Sequence, residues 1–159
     1  MTEEKKAPDI LVSLTLSIKE CKCLSFSFTD YALKNKKQIA LDQYEFTFTL
    51  TTQIFENEKL FSVVIETKLF EKQSENVKIE LAELKAKCAV AVINFDEVIR
   101  KTDDKSQLLI PDQLFLLCNT LTVSAVRGMF SIKLDDTIYS NALLPIVDPN
   151  LFLPTKIIA

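Results

Sequence analysis

Residues 12–29, "VSLTLSIKECKCLSFSFT", alternate with period two over almost their whole length. Leu14, Leu16, Ile18, Leu24, Phe26 and Phe28 occupy even positions, opposed by Ser13, Thr15, Ser17, Cys21, Cys23, Ser25 and Ser27. Successive side chains of an extended chain point to opposite faces, so the pattern specifies a half-buried antiparallel strand. The apolar face is interrupted at Glu20–Lys22, where a bend is expected.

The same grammar continues. In "YEFTFTLTTQIF", 44–55, Phe46, Phe48 and Leu50 face one way and Thr47, Thr49 and Thr51 the other. "ENEK" makes a turn, and "LFSVVIETKLF", 60–70, returns with Phe61, Val63, Ile65 and Leu69 aligned. With a short strand expected at 38–41, the first half is a meander of three or four antiparallel strands. Residues 77–101 read two ways. Leu81, Leu84, Cys88, Ala91, Phe95 and Val98 recur at helical spacing, which favours a helix, whereas "AVAVINF" also reads as a strand.

"IPDQLFLLCNTLTVSAVRG", 110–128, reads as a helix capped by Asp112 and closed by Gly128, the single glycine of the chain. From Gln113 to Val126 it carries no charge. A helix without charge on any face is covered on both sides. One side packs on the sheet. The other, bearing Asn119, Thr120 and Ser124, is expected to meet a second copy of the chain, the alternative cover being the 77–101 segment. The return segment, "LLPIVDPNLFLPTKIIA", is apolar and broken by prolines, and Asp148-Pro149 has the order of a short helix start. Its apolar side chains either pack on the body or form an exposed binding surface.

Composition narrows the chemistry. The 159 residues contain no histidine, which removes serine and cysteine nucleophile systems that rely on it and every histidine-dependent metal site. One glycine leaves no phosphate-cradling loop. No carboxylate pair sits in an apolar setting that would separate its two pKa values. No catalytic residue, metal or cofactor is therefore expected, and the chain is read as not an enzyme. Cys21, Cys23, Cys88 and Cys118 lack metal-site spacing and are expected to be free structural thiols of a cytoplasmic protein. A net charge of −3 gives no general attraction to nucleic acid, and the helix is read as too short for membrane insertion. Residues 1–8 are expected to be a disordered tail, and 9–159 a single domain.

The order of these elements resembles the SecB family of bacterial export chaperones. The resemblance rests on "LSIKECKCLSFSF" for the first strand, "YEFTFTLTTQIFENEKLFSVVIE" for the later hairpin, "VSAVRGMF" for the helix end and "LLPIVDPNLF" for the return. It implies an α+β fold, a four-stranded antiparallel sheet with helices packed on one face, assembled as a homo-oligomer, a tetrameric dimer of dimers. It further implies an ATP-independent holdase in protein export and transport, binding unfolded or precursor polypeptides in apolar grooves. Phe26, Phe28, Phe46, Phe48, Phe130, Ile146, Leu151 and Phe152 would line those grooves. The family's acidic contacts with the motor SecA correspond here to Cys23, Ser27 and Val64, none acidic, and 77–101 stands as an insertion. These departures favour an alternative role as a dedicated chaperone or adaptor for one partner, without delivery to SecA.

Overall fold

The computed structural model describes residues 13–102 and 107–153. Four strands, β1 (Leu16–Phe28), β2 (Tyr44–Phe55), β3 (Leu60–Ser74) and β4 (Val77–Val92), form one antiparallel sheet in the order β1-β4-β3-β2. A short helix, α1 (Asp30–Lys34), lies in the crossover from β1 to β2. After β4 come one helical turn, α2 (Phe95–Val98), and a small hairpin of β5 (Arg100–Lys101) and β6 (Leu108–Leu109). A long helix, α3 (Asp112–Leu134), then crosses one face of the sheet. The architecture is α+β, a four-stranded antiparallel sheet with its long helix on one face.

The fourth strand is the segment whose helical spacing favoured a helix. β4 is central, hydrogen-bonded on both sides, with Ala82, Leu84, Ala86, Cys88, Val90 and Val92 buried toward α3. Glu83, Lys85 and Lys87 take the opposite face. Burial of Leu81 and Ala89 blurs the alternation, and the alanines weaken the strand signal, so period 3.6 and period 2 coincide on the same residues. Residues 77–92 therefore complete the sheet, and 93–111 separate it from α3. No strand forms at 38–41; a 3₁₀ turn at Leu41–Gln43 leads into β2 instead. The anticipated tail, 1–8, lies outside the described residues.

β1 shows why its apolar face is interrupted. Unbroken alternation would point Glu20 and Lys22 at the core. Two bulges, between Ile18 and Glu20 and between Cys23 and Ser25, invert the phase of the intervening residues. Glu20 and Lys22 turn outward, and Cys21 and Cys23 turn inward. Cys21 thereby faces Cys88 across the ladder, their Cα atoms 4.2 Å apart, and the two are joined as a disulfide. The expectation of four free thiols fails because Cys88, read on a helix, lies instead on the strand that pairs with β1, directly opposite Cys21; Cys23 and Cys118 are free. Burial pushes the Cys118 thiol up to about 12.

The outer face of the sheet is laced with ion pairs. Lys68 lies 3.1 Å from both Glu80 and Glu83, Lys87 3.2 Å from Glu20, and Lys78 2.8 Å from Glu45. Hydrogen bonds from Lys22 and Lys87 hold the Glu20 carboxyl below its ordinary value. The inner face is apolar except for Thr67.

Gly128 does not end α3. The helix continues through "MFSIKL" to Leu134, and Gly128 is exposed, with open space where a Cβ would stand. Asp112 lies in the first turn beside the positive end of the helix rather than capping it; the N-cap is Pro111, without a side-chain hydrogen bond. Among the described residues the left-handed backbone belongs to Lys59, φ 54°, in the β2–β3 turn. Gly128→Ala is expected to stabilise the fold by about 0.5–1 kcal/mol through helix propensity. A thermal melt of the dilute, unassembled chain should rise by about 1–4 °C; a fall would reveal another surface packed against the Gly128 backbone.

Candidate polypeptide-binding surface

Rows of side chains across the sheet set the seat of α3. Phe26, Leu84, Thr67 and Phe48 stand in one row, and Phe28, Ala82, Leu69 and Phe46 in the next. Large rings occupy the edge strands and smaller side chains the centre, which makes a trough. Phe130 of α3 drops into it. Its ring centroid is 5.9 Å from Phe26 and 5.8 Å from Phe46, both edge-to-face. Phe26 and Phe28 meet at 5.0 Å, and Phe28 reaches Tyr139 at 5.9 Å.

Five of the residues expected to line a groove thus come together, but as the bed of the helix. Phe130 is fully buried, and Phe26, Phe28, Phe46 and Phe48 are half-buried around it. Alternation marks a residue as inward-facing without saying whether a helix or a ligand covers it. Ile146 and Leu151 do lie open, 85% and 75% exposed. The Phe152 side chain lies outside the described residues.

The outward side of α3 adds signals that the sequence reading passed over. Leu117 and Ile132 are exposed, the latter by 77%, with Leu121 and Met129 half-buried between them. Thr120, Ser124 and Gly128 fall at four-residue spacing on that side and are exposed. Asn119, assigned to the same outward face, is instead fully buried within the chain, because it lies next to Cys118 on the sheet side of α3. No helix from 77–101 covers α3, so its outward side is open in the single chain. Thr120 and Thr122 donate their hydroxyls back to the carbonyls of Leu116 and Cys118, each at 2.7 Å, which lowers the polarity they present. α3 is long and apolar enough to cross a membrane by length and composition. Its inner side is nonetheless spent on the sheet, where Leu114, Cys118, Val126, Phe130 and Leu134 are buried.

The return segment runs back along α3. Arg127 Nε donates to the Leu144 carbonyl at 3.2 Å, and Leu144 is buried beside it. Asp148 accepts from the Asn150 amide at 2.9 Å and opens a 3₁₀ turn, Pro149–Phe152, packed near α3. The cap-then-proline order read from the sequence is present as such. Leu143, Ile146 and Leu151 project from this segment into solvent. Leu117 and Ile132 on α3 are exposed likewise, so both the helix and the segment tied to it at Arg127 carry open aliphatic side chains.

The crossover is clamped from the same end. Tyr139 Oη donates to the Ala32 carbonyl at 3.0 Å, Asn141 Nδ2 to the Ile39 carbonyl at 3.2 Å, and Tyr44 Oη to Asn141 Oδ1 at 2.9 Å. Burial pushes the Tyr44 phenol up to about 12. Two depressions, of 330 and 520 Å³, sit at strand turns among Ile54–Glu58 and around Glu45 and Lys72–Lys78. Both are lined largely by polar and charged side chains and include none of the exposed aliphatic side chains of α3 or the return segment.

No protein-family model matches the sequence, and no curated protein matches it either. Solved structures do match. One is the SecB-like chaperone Rv1957 of Mycobacterium tuberculosis, in complex with a ChAD peptide from the HigA1 antitoxin. It is 11% identical, with a TM-score of 0.52 over 84% of this chain and 90% of that one. Another is a protein of unknown function from Streptococcus agalactiae, 10% identical over 86% of this chain and 99% of that one, with a TM-score of 0.32, too low to carry weight. The fold is SecB-like.

Two substitutions separate the bed of the helix from the open surface. Phe130→Ala should cost about 3–5 kcal/mol in a denaturant titration, and Ile146→Asp should stay within about 0.5 kcal/mol of the parent. Thr67 is fully buried and its hydroxyl has no hydrogen-bond partner among the described residues. Thr67→Val should therefore gain about 1 kcal/mol in the same titration, and a loss would mean that the hydroxyl is paired.

Proposed function

We propose that this chain is an ATP-independent holdase, a chaperone that binds non-native polypeptide through apolar contact and performs no covalent chemistry. The observation that carries this reading is the set of exposed aliphatic side chains, Leu117 and Ile132 of α3 with Leu143, Ile146 and Leu151 of the return segment tied to it. A surface of aliphatic side chains without a deep pocket cannot select a small molecule. It suits extended apolar segments of many sequences, each bound weakly, with several contacts acting together to raise avidity. Withdrawing the unfolded chain from solution then suppresses its aggregation by mass action.

A homo-oligomer fits the same side of α3. Thr120, Ser124 and Gly128 offer the close approach that helix packing between copies requires, and a dimer or a dimer of dimers would leave the return segment at the rim. On this reading the protein works in the cytoplasm and is not an enzyme.

A second reading, a dedicated chaperone for one partner, draws on two specific observations. The SecB-like neighbour was solved with a peptide of an antitoxin. The outer face of the sheet, where Ser27 and Val64 lie, pairs its acids with lysines and presents no acidic patch for a SecA-like motor. Export delivery is therefore the weaker form of the proposal, and holding without delivery the stronger.

Stoichiometric protein should delay the aggregation of a heat-denatured client in the absence of nucleotide, followed by light scattering. Leu117→Glu combined with Ile146→Asp should raise the concentration needed for half-maximal protection at least ~tenfold, by removing about 1.4 kcal/mol or more of apolar contact. Parent protein without effect at tenfold excess would reject the holdase. Recovery of one stoichiometric partner by the tagged chain from its host, in place of many nascent chains, would select the dedicated role.

A further inference from the structure

The phase inversion in β1 has a product besides the outward turn of Glu20 and Lys22: it aims two thiols at the sheet's inner side. Cys21 faces Cys88 in direct register, and Cys23 follows one pleat along the same strand. Cys88 is buried, whereas Cys21 is exposed. β1 is an edge strand, held to the sheet through β4 alone, and its ladder is interrupted on either side of residues 20–23. The short paired stretch between two interruptions is thus the stretch that carries the bridge.

We propose that Cys21 and Cys88 form a reversible thiol–disulfide switch that sets how firmly β1 is held to β4. The oxidant is a low-molecular-weight disulfide, RSSR, of the glutathione type. The exposed Cys21 thiolate attacks one sulfur of RSSR; the S–S bond breaks and RS⁻ leaves, taking a proton. Cys88 then loses its proton and attacks Cys21 Sγ in the mixed disulfide, and the second RS⁻ departs. Two electrons pass from the two protein thiols to RSSR, and two RSH are released with the two protons. The reverse sequence, begun by an external thiolate at the exposed Cys21 sulfur, reopens the bridge. Accessibility at one sulfur and burial at the other make the exchange directional: small thiols enter at Cys21. Cys23, whose Sγ lies 3.4 Å from the Ser25 carbonyl, stays a thiol in both states. In a reducing compartment the pair is open, and an oxidising shift closes it. The switch is independent of the holdase reading, since its closure is read on β1 itself.

The test equilibrates the full chain in buffers of graded reduced-to-oxidised glutathione, quenches with acid, and alkylates it under denaturing conditions for intact-mass analysis. Two thiols, those of Cys23 and Cys118, should react at the oxidised end and four at the reduced end, reversibly. Hydrogen exchange on the same samples should be at least ~tenfold slower at the amides of 20–24 in the oxidised form, with β2 and β3 unchanged. Cys21→Ser should exchange like the reduced form in every buffer, and Cys23→Ser should keep the full response. Four reactive thiols at the oxidised end, equal β1 exchange in both forms, or loss of the response in Cys23→Ser would overturn the switch.

Discussion

Everything in this molecule is arranged around the entry of Phe130 into the trough of the sheet. The trough exists because the edge strands contribute phenylalanines to the inner face while β3 and β4 contribute Thr67, Leu69, Ala82 and Leu84. A helix can approach closely over small side chains and is gripped laterally by large ones. Burying one phenylalanine among edge-to-face partners is worth several kilocalories per mole, a large fraction of the net stability of a domain. Seating α3 this way also fixes which of its sides remains outside.

The two faces of the sheet divide the polar and apolar chemistry of the chain. Outward residues pair as Glu20–Lys87, Glu45–Lys78, Glu66–Lys85 and Lys68 between two glutamates, so the outer face carries charge of both signs in register. Exposed pairs of this kind add little to stability. Their effect is on association: a face studded with hydrated ions resists stacking of another sheet. The exposed aliphatic side chains of α3 and the return segment lie on the side of the sheet from which that charge is absent.

Much of the fold was legible. Period-two alternation located β1, β2 and β3, and their inward residues outside the bulged stretch 19–24 of β1, because half-burial writes itself directly into an exposed strand. β4 was harder for a physical reason. A central strand flanked by neighbours tolerates alanine, and burial of Leu81, at a register shift, and of Ala89, on the outer face, erases the contrast on which periodicity depends. Gly128 misled because glycine most often ends a helix; here it sits on an exposed helical side, where a missing side chain leaves room. The bulges of β1 were signalled only by charges at inward positions. The candidate site was half legible. Ile146 and Leu151 are open, one of the two outcomes their apolar run left, whereas the phenylalanines were assigned to ligand although the chain's own helix covers them, and Leu117 and Ile132 were not singled out.

The uncharged run of α3 then has a consequence for how the two uses of its outward side relate. An inner face needs no charge, because the sheet covers it; an outer face in water normally carries some. Leaving Thr120, Ser124 and Gly128 beside Leu117 and Ile132 keeps that side dry enough to be covered and smooth enough for a second helix. A bound copy and a bound polypeptide would draw on neighbouring, partly shared apolar area, so they are thermodynamically linked. If copies occupy the α3 stripe and clients the return segment, assembly multiplies client contacts and the two cooperate. If both require Leu117 and Ile132, they compete, and client binding would pull the oligomer apart. Because the return segment is tied to α3 at Arg127, the first arrangement would leave Leu143, Ile146 and Leu151, exposed in the single chain, for clients. That geometry favours cooperation.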